Sequence, residues 1–251
     1  MTTERTRYTK DIQISWQCII DKRNNSNKRK YFNNNKENFE QLPSKKFKNN
    51  PNSLKNCIDS LLTDHNIEEL CIYVQSKLKN WIKKGNLYED RELVTKILFH
   101  ALLSDLPNYL VDTEIPIEVY RNKVKVHTFY ADLSVVELKA TNNAKLNRFI
   151  FEFKNKNVNF LDLKVNGNNN KWEILEEKAK KIEKMSENEI RQLKCSNSEK
   201  FDKGKTIQTI FNEACQQLLN YVNNLRDDNY QTSAFVVMSV GSRKLIWEKV
   251  N

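Results

Sequence analysis

Apolar positions along this chain change period several times, and each change marks an element. Ile58, Leu61, Leu62, Ile67, Leu70, Cys71, Val74, Leu78, Trp81 and Ile82 recur at helical spacing. The polar break Asp64-His65-Asn66 divides them into two helices, with Gly85 as the C-cap of the second. Residues 89–106 read as a third helix with Leu93, Ile97, Leu98, Ala101 and Leu102 on its apolar face, stopped by Pro107. The pattern then shifts to strands. Residues 109–120 and 124–138 are rich in Val, Ile and Tyr around a turn at Asn122, and 148–154 (RFIFEFK) forms a third run. Helical spacing returns over 206–225, where Ile207, Ile210, Phe211, Ala214, Leu218, Tyr221, Val222 and Leu225 share one side. Residues 233–240 and 244–249 read as a last strand pair joined at Gly241-Ser242. This order predicts an α/β fold with a central mixed β-sheet flanked by helices.

Two stretches break the pattern. Residues 21–56 are dominated by Asn, Lys and Ser, with few apolar positions and no period. Such a segment cannot bury enough surface to offset its ordering entropy, so a disordered basic tail is expected over residues 1–56. Only residues 14–20 (ISWQCII) are apolar enough there for a short strand or a docked segment. The runs Asn27-Lys28-Arg29-Lys30 and Ser44-Lys45-Lys46-Phe47-Lys48 fit nuclear import or phosphate contact, and equally a solvated linker. The second stretch, residues 155–205, is a charged interruption whose segment 172–193 has helical composition and a thin apolar stripe. It reads as an inserted helix or a lid. The expected organisation is therefore a tail over 1–56 and one domain over 57–251, with a helical extension at 57–88 and the insertion at 155–205.

Charge and composition narrow the function classes. The formal net charge is +10, but residues 1–56 hold 13 Lys and Arg against 5 Asp and Glu, and the rest 29 against 27. The body is close to neutral, so the high isoelectric point does not imply a uniformly basic face. No apolar run approaches the ~20 residues of a membrane span, and the polar N-terminus has no secretory apolar core. Five scattered cysteines with no CxxC pair speak against a zinc knuckle or a disulfide framework. An intracellular location is expected: the nucleus for a eukaryotic or viral protein, because of the basic tail, and otherwise the cytoplasm. The four glycines form neither a Walker loop nor GxGxxG.

The chemistry lies in two strands. Side chains alternate along a strand, so Asp132 shares a face with Ser134 and Val136. In 149–154, Phe149, Phe151 and Phe153 share one face, and Ile150, Glu152 and Lys154 the other. Three aromatics bury their side, which sends Glu152 and Lys154 out together on the opposite one. If the strands are neighbours, Asp132 and Glu152 come close, and two close carboxylates need a cation or a proton. A hard divalent ion, Mg²⁺ or Mn²⁺, suits their oxygens. Lys154 then places an ammonium where it can orient or deprotonate a water and neutralise phosphate charge. A lone Glu-x-Lys on a strand is, in most proteins, an exposed salt-bridged edge, so the neighbourhood matters.

In that neighbourhood the sequence resembles the PD-(D/E)XK nuclease superfamily, from Asp90 to about Val250 and interrupted by the 155–205 insertion. An acidic residue on the preceding helix, Glu92 with Glu89 as alternative, comes first. The strand aspartate follows in Ala131-Asp132-Leu133, with Ala where the family often has Pro. Glu152-Phe153-Lys154 matches the (D/E)xK element. Gln217-Leu218-Leu219-Asn220-Tyr221 looks like the QxxxY motif of RecB-like members. The resemblance implies a restriction-endonuclease-like core, metal ligation by Asp132, Glu152 and the Phe153 carbonyl, and phosphodiester hydrolysis in DNA ahead of RNA.

Gln217 and Tyr221 stand four apart and share a helix face. Both can hydrogen-bond a phosphate or a water, although Tyr221 also fits the apolar stripe, and Gln216 replaces Gln217 if the register differs. His65, His100 and His127 lack a second histidine at ligand spacing, and Cys215 lacks an activating partner; each is read as structural. The competing functional reading is a catalytically inactive nuclease-fold protein that binds nucleic acid or a partner.

Overall fold

The computed structural model describes residues 53–81, 92–121, 124–139, 145–165, 170–196, 201–225 and 227–250. The Gly85 cap, Glu89, the Asn122 turn and residues 1–52 of the expected tail lie outside these residues, while the last four positions of that tail, 53–56, are the cap and first turn of a helix.

Two helices come first, α1 (Leu54–Asp64) and α2 (Glu68–Trp81). Ser53 caps α1 by accepting from the Asn56 amide, and His65 ends it in left-handed geometry (φ 53°). Cys57, Leu61, Leu70, Cys71, Val74 and Leu78 are fully buried, as the helical spacing requires. Helix α3 (Glu92–Leu103) is rotated from its expected face. Leu98 is buried as expected, but Leu93 is 63% exposed, and Thr95, Phe99 and Leu103 are buried instead. Phe99 explains the rotation: its ring lies 5.1 Å from Phe153 and 5.9 Å from Phe151. Aromatic packing of that size outweighs burial of one leucine.

Strands β1 (Tyr109–Arg121), β2 (Val124–Glu137) and β3 (Leu146–Lys156) form an antiparallel meander. Strand β4 (Tyr230–Val240) then runs parallel to β3, and β5 (Lys244–Val250) antiparallel to β4. The sheet has five strands in the order β1-β2-β3-β4-β5. The parallel step needs a crossover, supplied by α6 (Ile207–Asn224), which Thr206 caps. Its buried stripe is Ile207, Ile210, Phe211, Ala214, Leu218 and Tyr221. The molecule is thus α/β, a mixed five-stranded sheet flanked by helices.

Residues 172–193 were expected as one helix, and the structure has two, α4 (Lys171–Lys184) and α5 (Glu187–Gln192). Ser186 causes the break. It accepts from the Glu189 amide while Glu189 bonds back, a capping box that starts a new helix. The thin stripe of α4, namely Leu175, Ala179 and Ile182, is buried in the common core. Ile182 packs against the β4–β5 turn, where a Cβ on Gly241 (φ 62°) would lie 2.6 Å from Ile182 Cδ1. Among the described residues, no helix is long and apolar enough to cross a membrane.

Candidate active site

The β2–β3 ladder pairs Val136 with Arg148, Val135 with Phe149, Ser134 with Ile150 and Leu133 with Phe151, then stops. The next rung would set Asp132 opposite Glu152. Instead Asp132 Oδ2 accepts a hydrogen bond from the backbone N–H of Phe153 at 2.8 Å. A side chain replaces the ladder partner, and the strands part where the two carboxylates lie.

Phe149, Phe151 and Phe153 are wholly buried on one face of β3. Glu152, on the other face, is only 2% exposed. Lys154 Nζ donates to its Oε1 at 2.6 Å, and Gln217 Nε2 of α6 donates to the same oxygen at 3.1 Å. Gln217 also donates to the Tyr221 hydroxyl, so the Gln-x-x-x-Tyr pair acts as one unit. Tyr221 is both core and site: its ring is buried while its hydroxyl meets Gln217.

Glu152 Oε2 is buried without a hydrogen-bond partner. Burial raises the Glu152 carboxyl, Lys154 opposes this, and the charges of Asp132 and Glu92 push further, so it is driven up to about 7. Burial lowers Lys154, but the Glu152 carboxylate outweighs that and raises it above its ordinary value. Glu92 lines a cleft of about 380 Å³ together with Lys154, Asn157, Phe160, Phe201 and Gln217. Asp132, Glu152, Lys154, Gln217 and Tyr221 are thus linked, and Glu92 opens onto the same space.

Two residues of this cluster are not among the sequence candidates. Lys96 of α3 reaches Asp132 Oδ1 at 3.3 Å and is also ion-paired with Glu114 of β1. Glu114 has left-handed backbone geometry (φ 55°), which costs a non-glycine residue about 1 kcal/mol or more. The signal for Lys96 was present: Glu92, Lys96, Phe99 and Leu103 lie on one helix stripe, and charges at the start of a buried stripe need a polar destination. Glu114 had no such signal, because its place opposite Asp132, between the pairs Thr113–Leu133 and Ile115–Ala131, follows from the β1–β2 register and not from its own strand pattern.

Cys215 lies beside the glutamines, but burial pushes its thiol up to about 11, and it is no nucleophile at neutral pH. His65 Nδ1 is 2.7 Å from Ser233 Oγ and packs on Phe149, a structural role at the end of α1. His100 is lowered by burial within α3.

Among the described residues, no group of three or more His, Cys, Asp or Glu is placed to hold a metal. Two carboxylates suffice for Mg²⁺, which keeps waters or phosphate oxygens as its remaining ligands. The orphaned, buried Glu152 Oε2 beside Asp132 fits a hard cation. Comparison with protein-family models, with curated proteins and with solved structures returns no match.

Proposed function

We propose that this chain is a metal-dependent phosphodiesterase with a restriction-endonuclease-like core of the PD-(D/E)XK class, and that it hydrolyses DNA. One observation carries the reading. A buried carboxylate with an unpartnered oxygen, Glu152, lies within the electrostatic reach of Asp132, and Lys154 and Gln217 both donate to its other oxygen. Most buried polar atoms have a hydrogen-bond partner, and an orphaned carboxylate oxygen within a cluster of charged groups is a place for a water or an ion.

Asp132 and Glu152 would hold Mg²⁺ or Mn²⁺, with the Phe153 carbonyl as a further oxygen. Such an ion, when bound, supplies Lewis acidity at the phosphoryl oxygens. Lys154 donates from Nζ and offsets the phosphate charge. Gln217 fixes the Glu152 carboxylate through Nε2 and is itself oriented by the Tyr221 hydroxyl. Glu92 borders the cleft and can accept from a water there. The reaction needs no covalent protein intermediate: water attacks phosphorus and gives up a proton to solvent in the cleft, and the P–O bond to the leaving oxygen breaks, that oxygen taking a proton from solvent to leave as a hydroxyl.

The basic segment over residues 1–56 adds non-specific phosphate affinity, or directs the protein to the nucleus where the host has one. The test is cleavage of linear duplex, circular and single-stranded DNA and of RNA with Mg²⁺, Mn²⁺ or EDTA. Metal-dependent cutting of DNA, abolished by EDTA and by Lys154→Ala, is expected. A wild-type protein that cuts no nucleic acid with either metal overturns the reading.

A further inference from the structure

Asp132 already carries a cation. The Lys96 ammonium sits 3.3 Å from Oδ1, while Oδ2 accepts from the Phe153 amide. Both oxygens therefore have donors from the chain itself, whereas Glu152 keeps one oxygen open. Lys96 is held firmly: its side chain is only 11% exposed. Phe99, three residues on, anchors that turn of α3 against β3.

Lys96 also has a second partner. Its ammonium bridges Asp132 to Glu114, and Glu114 faces solvent in left-handed geometry. A non-glycine residue keeps that conformation only where surrounding contacts compensate. The ion pair with Lys96 is a contact of that kind.

We propose that Lys96 is a built-in counter-cation that exchanges with the divalent metal at Asp132. Without metal, Lys96 neutralises Asp132 and keeps the acidic cluster assembled. When a metal takes Asp132, two cations on one carboxylate repel, and Lys96 retreats to Glu114. It does so without losing an anionic partner, because Glu114 is already in contact. Metal affinity is then set by how Asp132 and Glu114 share one ammonium. The inference rests on the metal-dependent reading above and adds to it the control of metal loading.

The test is calorimetric titration of Mn²⁺ into the full chain, read as affinity rather than activity. Lys96→Met keeps the aliphatic stem and removes the charge, and should tighten binding about tenfold or more. Glu114→Gln removes the retreat and should weaken binding. Glu114 is exposed, so that variant folds even if Lys96→Met does not. Lys156→Met is the control: Lys156 lines the same cleft but pairs with Asp202 at 2.6 Å, and its loss should change affinity little. Equal affinity in wild type and Lys96→Met, with binding lost in Asp132→Asn, overturns the exchange and leaves the metal reading standing. The same holds if Lys156→Met tightens binding as much as Lys96→Met, since the effect is then a general field. Binding by Lys96→Met alone supports the exchange in its strongest form. No binding by any variant overturns both.

Discussion

Asp132 on β2 holds the backbone amide of Phe153 on β3 at 2.8 Å, where a regular ladder would have a carbonyl. The bond opens the sheet beside Glu152 and fixes the Asp132 carboxylate at the same time. Asp132→Asn keeps an oxygen for that amide but loses the charge. It should fold like wild type, with Mn²⁺ binding and cleavage lost. Asp132→Ala also frees the amide, so hydrogen exchange at Phe153 should accelerate in that variant alone. Mn²⁺ binding equal to wild type in Asp132→Ala would remove this residue from the metal site.

Lys154→Ala should abolish cleavage and leave the fold intact. Lys154 stands on the face of β3 opposite three buried phenylalanines, so its removal opens no cavity in their packing. Loss of one positioned electrostatic or acid–base group typically costs about 10²–10⁴ in rate. Circular dichroism and DNA affinity should stay near wild type. A folded Lys154→Ala protein that cuts at the wild-type rate would dismiss the assignment.

Gln217 and Tyr221 separate positioning from packing. Gln217→Ala removes one hydrogen bond to Glu152 and should slow cleavage roughly tenfold. Tyr221→Phe keeps the buried ring and removes the hydroxyl, so it should match Gln217→Ala in rate with little change in stability. Tyr221→Ala should instead lose about 3 kcal/mol by opening a cavity. Equal stability of Phe and Ala variants in urea denaturation would contradict the burial of the ring.

Strong periods made most elements legible. The stripe from Ile207 to Tyr221 named the crossover helix residue by residue, and FIFEFK placed Glu152 and Lys154 on one face. Turn signals read the β1–β2 and β4–β5 hairpins, whereas the pairing of β2 with β3 and the parallel pairing of β3 with β4 depend on tertiary packing. The rotation of α3 was not legible, because Leu93 and Phe99 both fit an apolar face and only tertiary packing chooses between them. Lys96 follows from that choice: the face of Leu93, Ile97, Leu98, Ala101 and Leu102 lies opposite it on the helix, whereas the stripe Glu92, Lys96, Phe99 and Leu103 carries it to Asp132. The break at Ser186 was readable as Ser-x-x-Glu ahead of Ile190, but helical composition on both sides hid it.

The insertion is held to the body by charge as well as by its stripe, and this gives a prediction independent of catalysis. Arg243 in the β4–β5 turn is 7% exposed. It bonds both oxygens of Glu176 at 3.1 and 2.9 Å and Glu183 at 3.2 Å. Lys79 of α2 meets Glu183 at 3.0 Å. Burial alone would raise the Glu183 carboxyl, but hydrogen bonds from Lys79 and Arg243 outweigh it and hold it below its ordinary value. A depressed carboxylate adds stability above its unfolded value, and that contribution is lost as pH falls through the folded value. Arg243→Met leaves Glu176 and Glu183 largely buried without their main partner, and should cost about 3 kcal/mol at pH 7. The cost should shrink as pH falls through the depressed folded value of Glu183, where that carboxyl takes up a proton in both states. Urea denaturation of wild type and variant from pH 7 down to about pH 3 measures this. The described ion pairs of Arg243 are with Glu176 and Glu183, so the rate per folded molecule should be unchanged. A pH-independent difference in stability would show that Arg243 acts through packing of its stem and not through its charge.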